Sequence, residues 1–118
     1  MKSKKKFTFI IQTYPNTDYA TDARFKIDLI TDQLAAKEMS IARFYMETEK
    51  WIPALNRLKT VVKKYEKTIF VEEGLYRLVE VYYRRGLTEE AKKAAAILGY
   101  NYQSGDWYKR SYQVFHKK

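Results

Sequence analysis

Apolar side chains recur along this chain at spacings of three and four, the period of an amphipathic helix, and Pro, Gly and polar clusters cut the recurrence into segments. Phe7, Ile10, Ile11 and Tyr14 form the apolar side of a short helix over 4–14. It stops where Pro15 disfavours helical geometry at Tyr14 and Asn16 suits a turn. From Ala20 to Thr48 there is no Gly or Pro, and Ala23, Ile27, Ile30, Leu34, Ile41 and Tyr45 keep one phase across Ala35 and Ala36. That predicts one long helix over 20–48, capped by Asp18 or Thr21, with a break near Ala36 as the alternative. Trp51 and Pro53 open the next helix, where a first-turn Pro is tolerated, and it runs to about Tyr65. A further helix spans about 71–85 and ends on Gly86, which supplies a left-handed stop. Thr88 is placed to cap the next helix, Glu89 and Glu90 favour its positive end, and Gly99 is expected to close it. Gly105 then sets off a last short helix over 106–115, carrying Trp107, Tyr108, Tyr112 and Phe115.

Two of these segments repeat each other. With Ala54 placed on Ala91, Ala42 falls on Val79 and Tyr45 on Tyr82, a repeat of 37 residues. Ile41, Ala42 and Tyr45 lie on one helix, with Trp51, Ala54, Leu58 and Val61 on the next; Leu78, Val79 and Tyr82 are followed likewise by Gly86, Ala91, Ala95 and Leu98. Helices cross closely only where side chains are short, so position-matched small residues mark helical hairpins packed in register. The repeat is slightly longer than the tetratricopeptide (TPR) unit of about 34 residues. The expected fold is all-α: TPR-like helical repeats forming a short right-handed α-superhelix of about five to six helices. Two ordinary hairpins in a bundle are the plainer reading. Aligning Pro15 with the Pro that closes a TPR unit puts Phe7 at its large aromatic position. Residues 1–16 are therefore expected to be the second helix of a truncated preceding repeat. Residues 17–118 would hold the C-terminal repeats, with repeat cores at about 35–68 and 72–100 and a terminal helix at 106–115.

Charge narrows the function only after it is located. The 118 residues carry 23 Lys and Arg against 14 Asp and Glu, a formal net charge of +9. Lys2, Lys4, Lys5, Lys6, Lys117 and Lys118 sit at the ends, and without them 17 basic residues face 14 acidic ones. A nucleic-acid binder needs a basic stripe on a folded face, so a basic helical nucleic-acid-binding domain stands as the alternative rather than the first reading. Cysteine is absent, which removes disulfides and thiolate metal sites. No apolar run approaches the roughly 20 residues that cross a bilayer. The single histidine, His116, stands beside two terminal lysines and reads as solvated. Glu72-Glu73 and Glu89-Glu90 sit at helix starts, where the helix dipole accounts for them. No phosphate loop or activated-serine motif occurs, so no catalysis, cofactor or metal is expected. The 11 tyrosines are used mainly in helix packing; Tyr83, Arg84 and Arg85 either line a groove or cover a helix end.

Several motifs, in order, resemble BamD-type outer-membrane assembly lipoproteins. They are Tyr14-Pro15-Asn16-Thr17-Asp18-Tyr19-Ala20-Thr21-Asp22-Ala23; Leu34-Ala35-Ala36-Lys37-Glu38 with Ala42-Arg43-Phe44-Tyr45; Ala54-Leu55-Asn56-Arg57 leading to Val61, Val62 and Tyr65; and Leu98-Gly99-Tyr100-Asn101-Tyr102 before Trp107-Tyr108. The chain departs from that pattern at Glu66 and Gln103, where relatives often have Pro. The resemblance covers nearly the whole chain and corresponds to the C-terminal half of such a protein, without its lipidated N-terminal Cys and first repeats. It implies a periplasmic protein, lipid-anchored to the inner leaflet of the outer membrane, working as a scaffold of the β-barrel assembly machine. Its implied partner is the periplasmic POTRA region of the barrel subunit BamA, with other assembly-machine lipoproteins as further partners; the N-terminal repeats of the family are associated with unfolded barrel substrates.

Repeat scaffolds concentrate affinity in a few Arg, Tyr or Trp anchors. With Ala54, Leu58 and Val61 facing inward, Arg57 falls at the margin of that face, where its guanidinium can meet a carboxylate, and Asn56 is adjacent. Arg57 and Asn56 are the first candidates for partner binding. Arg43, Arg77 and Arg84 follow on neighbouring helices.

Overall fold

The structure, a computed structural model, describes residues 18–116. Among the described residues there are five helices and no strands: α1 Asp18–Glu47, α2 Trp51–Lys64, α3 Phe70–Arg84, α4 Thr88–Tyr102 and α5 Asp106–His116. The expected helix over 4–14 and the turn at Pro15 lie outside the described residues. α1 is 30 residues long and runs through Ala36 without a break. The chain divides into two compact units between Leu34 and Ala35.

In the first unit, Ala20 and Ala23 are buried while Phe25 and Leu29 are exposed. Lys26 pairs with Asp22 one turn earlier at 2.9 Å, and the Thr31 hydroxyl donates to the Ile27 carbonyl at 2.7 Å. Thr21 lies inside the helix rather than at its cap.

The second unit is built from two hairpins closed in the same way. α1 ends with Glu49 at φ +59°, and the Lys50 N–H donates to the Tyr45 carbonyl at 2.8 Å. α3 ends with Gly86 at φ +77°, and the Leu87 N–H donates to the Tyr82 carbonyl at 2.8 Å. Each is the six-to-one hydrogen bond of a left-handed helix stop. The two stops are 37 residues apart, so the sequence repeat is also a repeat of backbone hydrogen bonds. Gly meets the left-handed requirement at no cost, whereas Glu49 carries a Cβ into it.

Small residues occupy the crossings. Ala42, Ala54 and Ala91 are fully buried, and Ala42 and Ala91 join Met39, Leu58, Val61, Val79 and Val81 in one apolar cluster drawn from α1, α2, α3 and α4. Trp51, Tyr82, Val114 and Phe115 pack on its edge. Gly74 lets α3 approach α2 closely: a Cβ there would meet Val61 at 3.3 Å. A second cluster joins Val71 and Leu75 of α3 to Leu98 of α4, covered by Tyr76, Tyr102, Trp107 and Tyr108. α3 is thus the central element, packed on α2, α4 and α5.

Two local expectations fail at α4. Thr88 is its first helical residue, and no side chain caps the start, where Leu87 holds the cap position. Gly99 does not end the helix, which continues to Tyr102. Gly99 is instead a contact residue, because a Cβ there would fall 2.5 Å from the Tyr108 ring. The ring of α5 sits where any other residue would place a side chain.

That geometry sets the sign of a substitution. In a helix interior Ala normally exceeds Gly by about 0.8–1 kcal/mol. Gly99→Ala is nonetheless expected to destabilise the domain by about 1 kcal/mol, since overpacking against Tyr108 outweighs the gain. In a Tyr108→Ala background the same change should stabilise by up to about 1 kcal/mol, read from urea unfolding of the four proteins of the cycle.

Candidate functional site

The five partner-binding candidates fall into distinct environments. Glu73, on the first turn of α3, is buried, and a buried carboxylate needs charged partners. Arg43 of α1 supplies a two-pronged contact, Nε to Oε2 at 2.8 Å and Nη2 to Oε1 at 2.5 Å. Arg77, one turn along α3, donates Nε to the same Oε2 at 3.4 Å and reaches Glu80 through Nη1 at 3.5 Å. Burial alone would push the Glu73 carboxyl up; the hydrogen bond and charge of Arg43, aided by Arg77, more than offset this and hold it below the ordinary carboxylate value. The same hydrogen bond raises Arg43 above its ordinary value. The helix dipole still suits acids at this start, but it does not explain why Glu73 is inside.

Arg57 of α2 meets Glu38 of α1, its Nη1 lying 3.1 Å from both carboxylate oxygens. The Arg57 side chain stays 41% exposed, which leaves its remaining N–H groups open to an outside acceptor. Asn56, beside it, is exposed. Arg84 is exposed at the end of α3 and lies over the indole of Trp51, 5.7 Å from its centroid.

Sequence reasoning passed over Arg110. It sits on α5 over the indole of Trp107 at 4.8 Å, and Arg77 approaches the same ring at 5.7 Å. Tyr76 packs on Trp107 at 5.4 Å between ring centroids and donates its hydroxyl to Glu80 at 3.2 Å. Burial first, and then the Glu80 charge, raise the Tyr76 phenol above its ordinary value. The signal was available for Trp107 and Arg110, which stand three apart on one helical face. For Arg43 and Glu73, 30 residues apart, no local spacing reports the contact.

These groups border two adjoining hollows. One, of about 200 Å³, is lined by Arg43, Met46, Glu47, Trp51, Arg77, Glu80 and Arg84. The other, of about 600 Å³, shares Glu80 and Arg84 and adds Tyr76, Tyr83, Arg110, Gln113 and Val114. Of Tyr83, Arg84 and Arg85, the first two line the second hollow, while Arg84 also lies in the last turn of α3 and Arg85 lines neither hollow. Among the described residues no group of three or more His, Cys, Asp or Glu is placed to hold a metal ion. His116 stacks on Tyr112 at 4.0 Å, on an exposed part of α5.

Residues 1–97 match the protein family described as YfiO, outer membrane lipoprotein. The chain is 48% identical over 105 residues to the outer membrane protein assembly factor BamD of Caulobacter vibrioides, covering 89% of this chain and 34% of that protein. It is 46% identical over 112 residues to BamD of Rickettsia prowazekii, covering 95% of this chain and 45% of that one. BamD of Neisseria meningitidis serogroup A is 32% identical over 107 residues, covering 91% and 40%. The chain therefore spans less than half the length of these relatives. It belongs to the YfiO outer membrane lipoprotein family, the BamD-type family that its motifs resemble.

The Glu73 cluster has a pH signature. A carboxyl held low in the folded state contributes stability that is present above the unfolded value and is lost as pH falls through the folded one. Glu73→Gln should cost about 2 kcal/mol, roughly 10 °C in Tm, at pH 7. The difference from the parent should shrink as pH drops below about 4. Thermal melts of both proteins across that range check it.

Proposed function

Taking that membership as premise, we propose that the chain is a non-catalytic scaffold of the machinery that inserts β-barrel proteins into the outer membrane, working on its periplasmic side. The carrying observation is the agreement between the family match and relatives named as outer membrane protein assembly factors. The partner is the periplasmic POTRA region of a BamA-type barrel subunit. Arg57 and Asn56 form the first contact. What supports them is placement: a half-exposed guanidinium and an exposed amide adjoin on α2, whose other face is locked into the core through Ala54, Leu55, Leu58 and Val61. A rigid helix carrying a partly satisfied arginine loses little freedom when a partner docks. Arg43 and Arg77 serve a different end, holding α1 and α3 together through Glu73.

The test is binding of the purified POTRA region by calorimetry. Arg57→Glu is expected to weaken it by about thirtyfold or more, roughly 2 kcal/mol, as loss of a charged anchor does. That variant also sets two carboxylates face to face at Glu38, so a loss of binding has to be separated from a loss of fold. Glu38→Arg with Arg57→Glu restores the internal pair with its polarity reversed. The double variant should recover thermal stability and still fail to bind; recovery of binding along with stability would take Arg57 out of the interface.

A further inference from the structure

We propose that the groove bordered by the C-terminal part of α1, by α3 and by α5 binds an extended acidic segment of a partner polypeptide, with Arg84 and Arg110 receiving its carboxylates. This goes beyond docking at Arg57 and uses different residues. Arg43 and Arg77 border the groove, but their charges are answered by Glu73 and Glu80. Among the described residues, neither Arg84 nor Arg110 is in an ion pair. Both are exposed, and both line the same 600 Å³ hollow.

Each of these guanidiniums rests on an indole, Arg84 on Trp51 and Arg110 on Trp107. Stacking in that way holds the flat group against the wall and leaves its N–H edge free to grip a carboxylate with two parallel hydrogen bonds. Two arginines in one hollow therefore call for more than one negative charge.

The rest of the lining chooses among anions. Tyr76, Tyr83 and Val114 offer apolar surface between the cations, suited to side chains that alternate with acids in an extended strand. Glu80 is engaged by Tyr76 and Arg77, whereas Glu47, in the adjoining hollow, is exposed and presents carboxylate oxygens along the path. A polypeptide has backbone N–H groups to give Glu47. A DNA backbone carries a charge at every phosphate and has no such donor, so nothing in it offsets the repulsion from Glu47, whereas a polypeptide can place an N–H group there. Charge and donor pattern together select an acidic peptide.

The probe is a fluorescein-labelled, end-capped peptide, Gly-Glu-Leu-Glu-Leu-Glu-Leu-Glu-Gly, titrated with the whole 118-residue chain and followed by anisotropy. Saturable binding that weakens with salt is expected. Arg84→Gln and Arg110→Gln should each weaken it by about tenfold, the loss of one charge-assisted contact. Replacing both by Lys keeps the charge without the flat fork and should give an intermediate affinity. The charge-reversed pair Glu38→Arg with Arg57→Glu, which keeps the internal ion pair and the net charge, should leave the affinity within about twofold, so that failure here and failure of the POTRA reading are told apart. Trp51 and Trp107 are the two tryptophans of the chain, and their emission should change as the peptide saturates. Equal binding of a peptide with Lys in place of Glu, or unchanged affinity in the double Gln variant, would overturn the proposal. So would tighter binding of oligothymidylate through the same two arginines, which would give the groove to single-stranded nucleic acid.

Discussion

A carboxylate withdrawn from water has to be met by positive charge, and at Glu73 this requirement organises the face that α1 and α3 share. Arg43 reaches across from α1 and Arg77 from one turn along α3, and both close on the same oxygen. Removing the arginines would leave the carboxylate charge behind in a place with little solvent, which is why the contact holds its geometry. Two consequences follow. The C-terminal part of α1 and the start of α3 are tied at one point beside the groove. Two of the arginines on that face are also spent internally, so the cations available to an outside ligand are those farther along, at Arg84 and Arg110.

The hairpin architecture was legible from sequence because its causes are local or periodic. Ala54 and Ala91 are fully buried, and Tyr45 and Tyr82 accept equivalent hydrogen bonds at equivalent helix ends. Gly86 occupies the left-handed position expected of it. The misreadings share a different cause. Gly99 has the composition of a stop but the role of a contact, and only the approach of Tyr108 from α5 reveals which. Thr88 has the side chain of a cap, yet the chain enters the helix one residue earlier than a threonine cap would require. At the site the same division holds. Arg57 was placed at the margin of the inward face by its neighbours Ala54, Leu58 and Val61, and there it is. Its carboxylate partner Glu38, 19 positions earlier, belongs to tertiary structure and has no signature in local spacing. Glu73 looked like an ordinary helix-start acid for the same reason.

Net charge is a poor guide to this surface. The formal +9 comes largely from lysines at the two ends, while Arg43, Arg57, Arg77, Arg84 and Arg110 are distributed among carboxylates and aromatic rings. A surface organised in that way discriminates by position: each guanidinium has a set direction, and a ligand is accepted where its acceptors match. A diffuse basic field would instead bind many anions through counterion release. The fold therefore suits recognition of another polypeptide better than attraction to a charged polymer.

An arginine already in an ion pair can still serve a second carboxylate, and this chain contains such a case. Arg77 holds Glu73 through Nε and Glu80 through Nη1, so one guanidinium serves two carboxylates at once. Its planar fork carries five N–H donors, which makes this geometrically ordinary. Arg57 uses one nitrogen on Glu38, and its side chain is more exposed than that of Arg77. The contact with Glu38 therefore leaves N–H donors over for the partner carboxylate proposed above. In that proposal it also fixes the direction of the guanidinium beforehand, so a docking partner would meet a donor already aimed and pay less of the ordering entropy that a free arginine would demand.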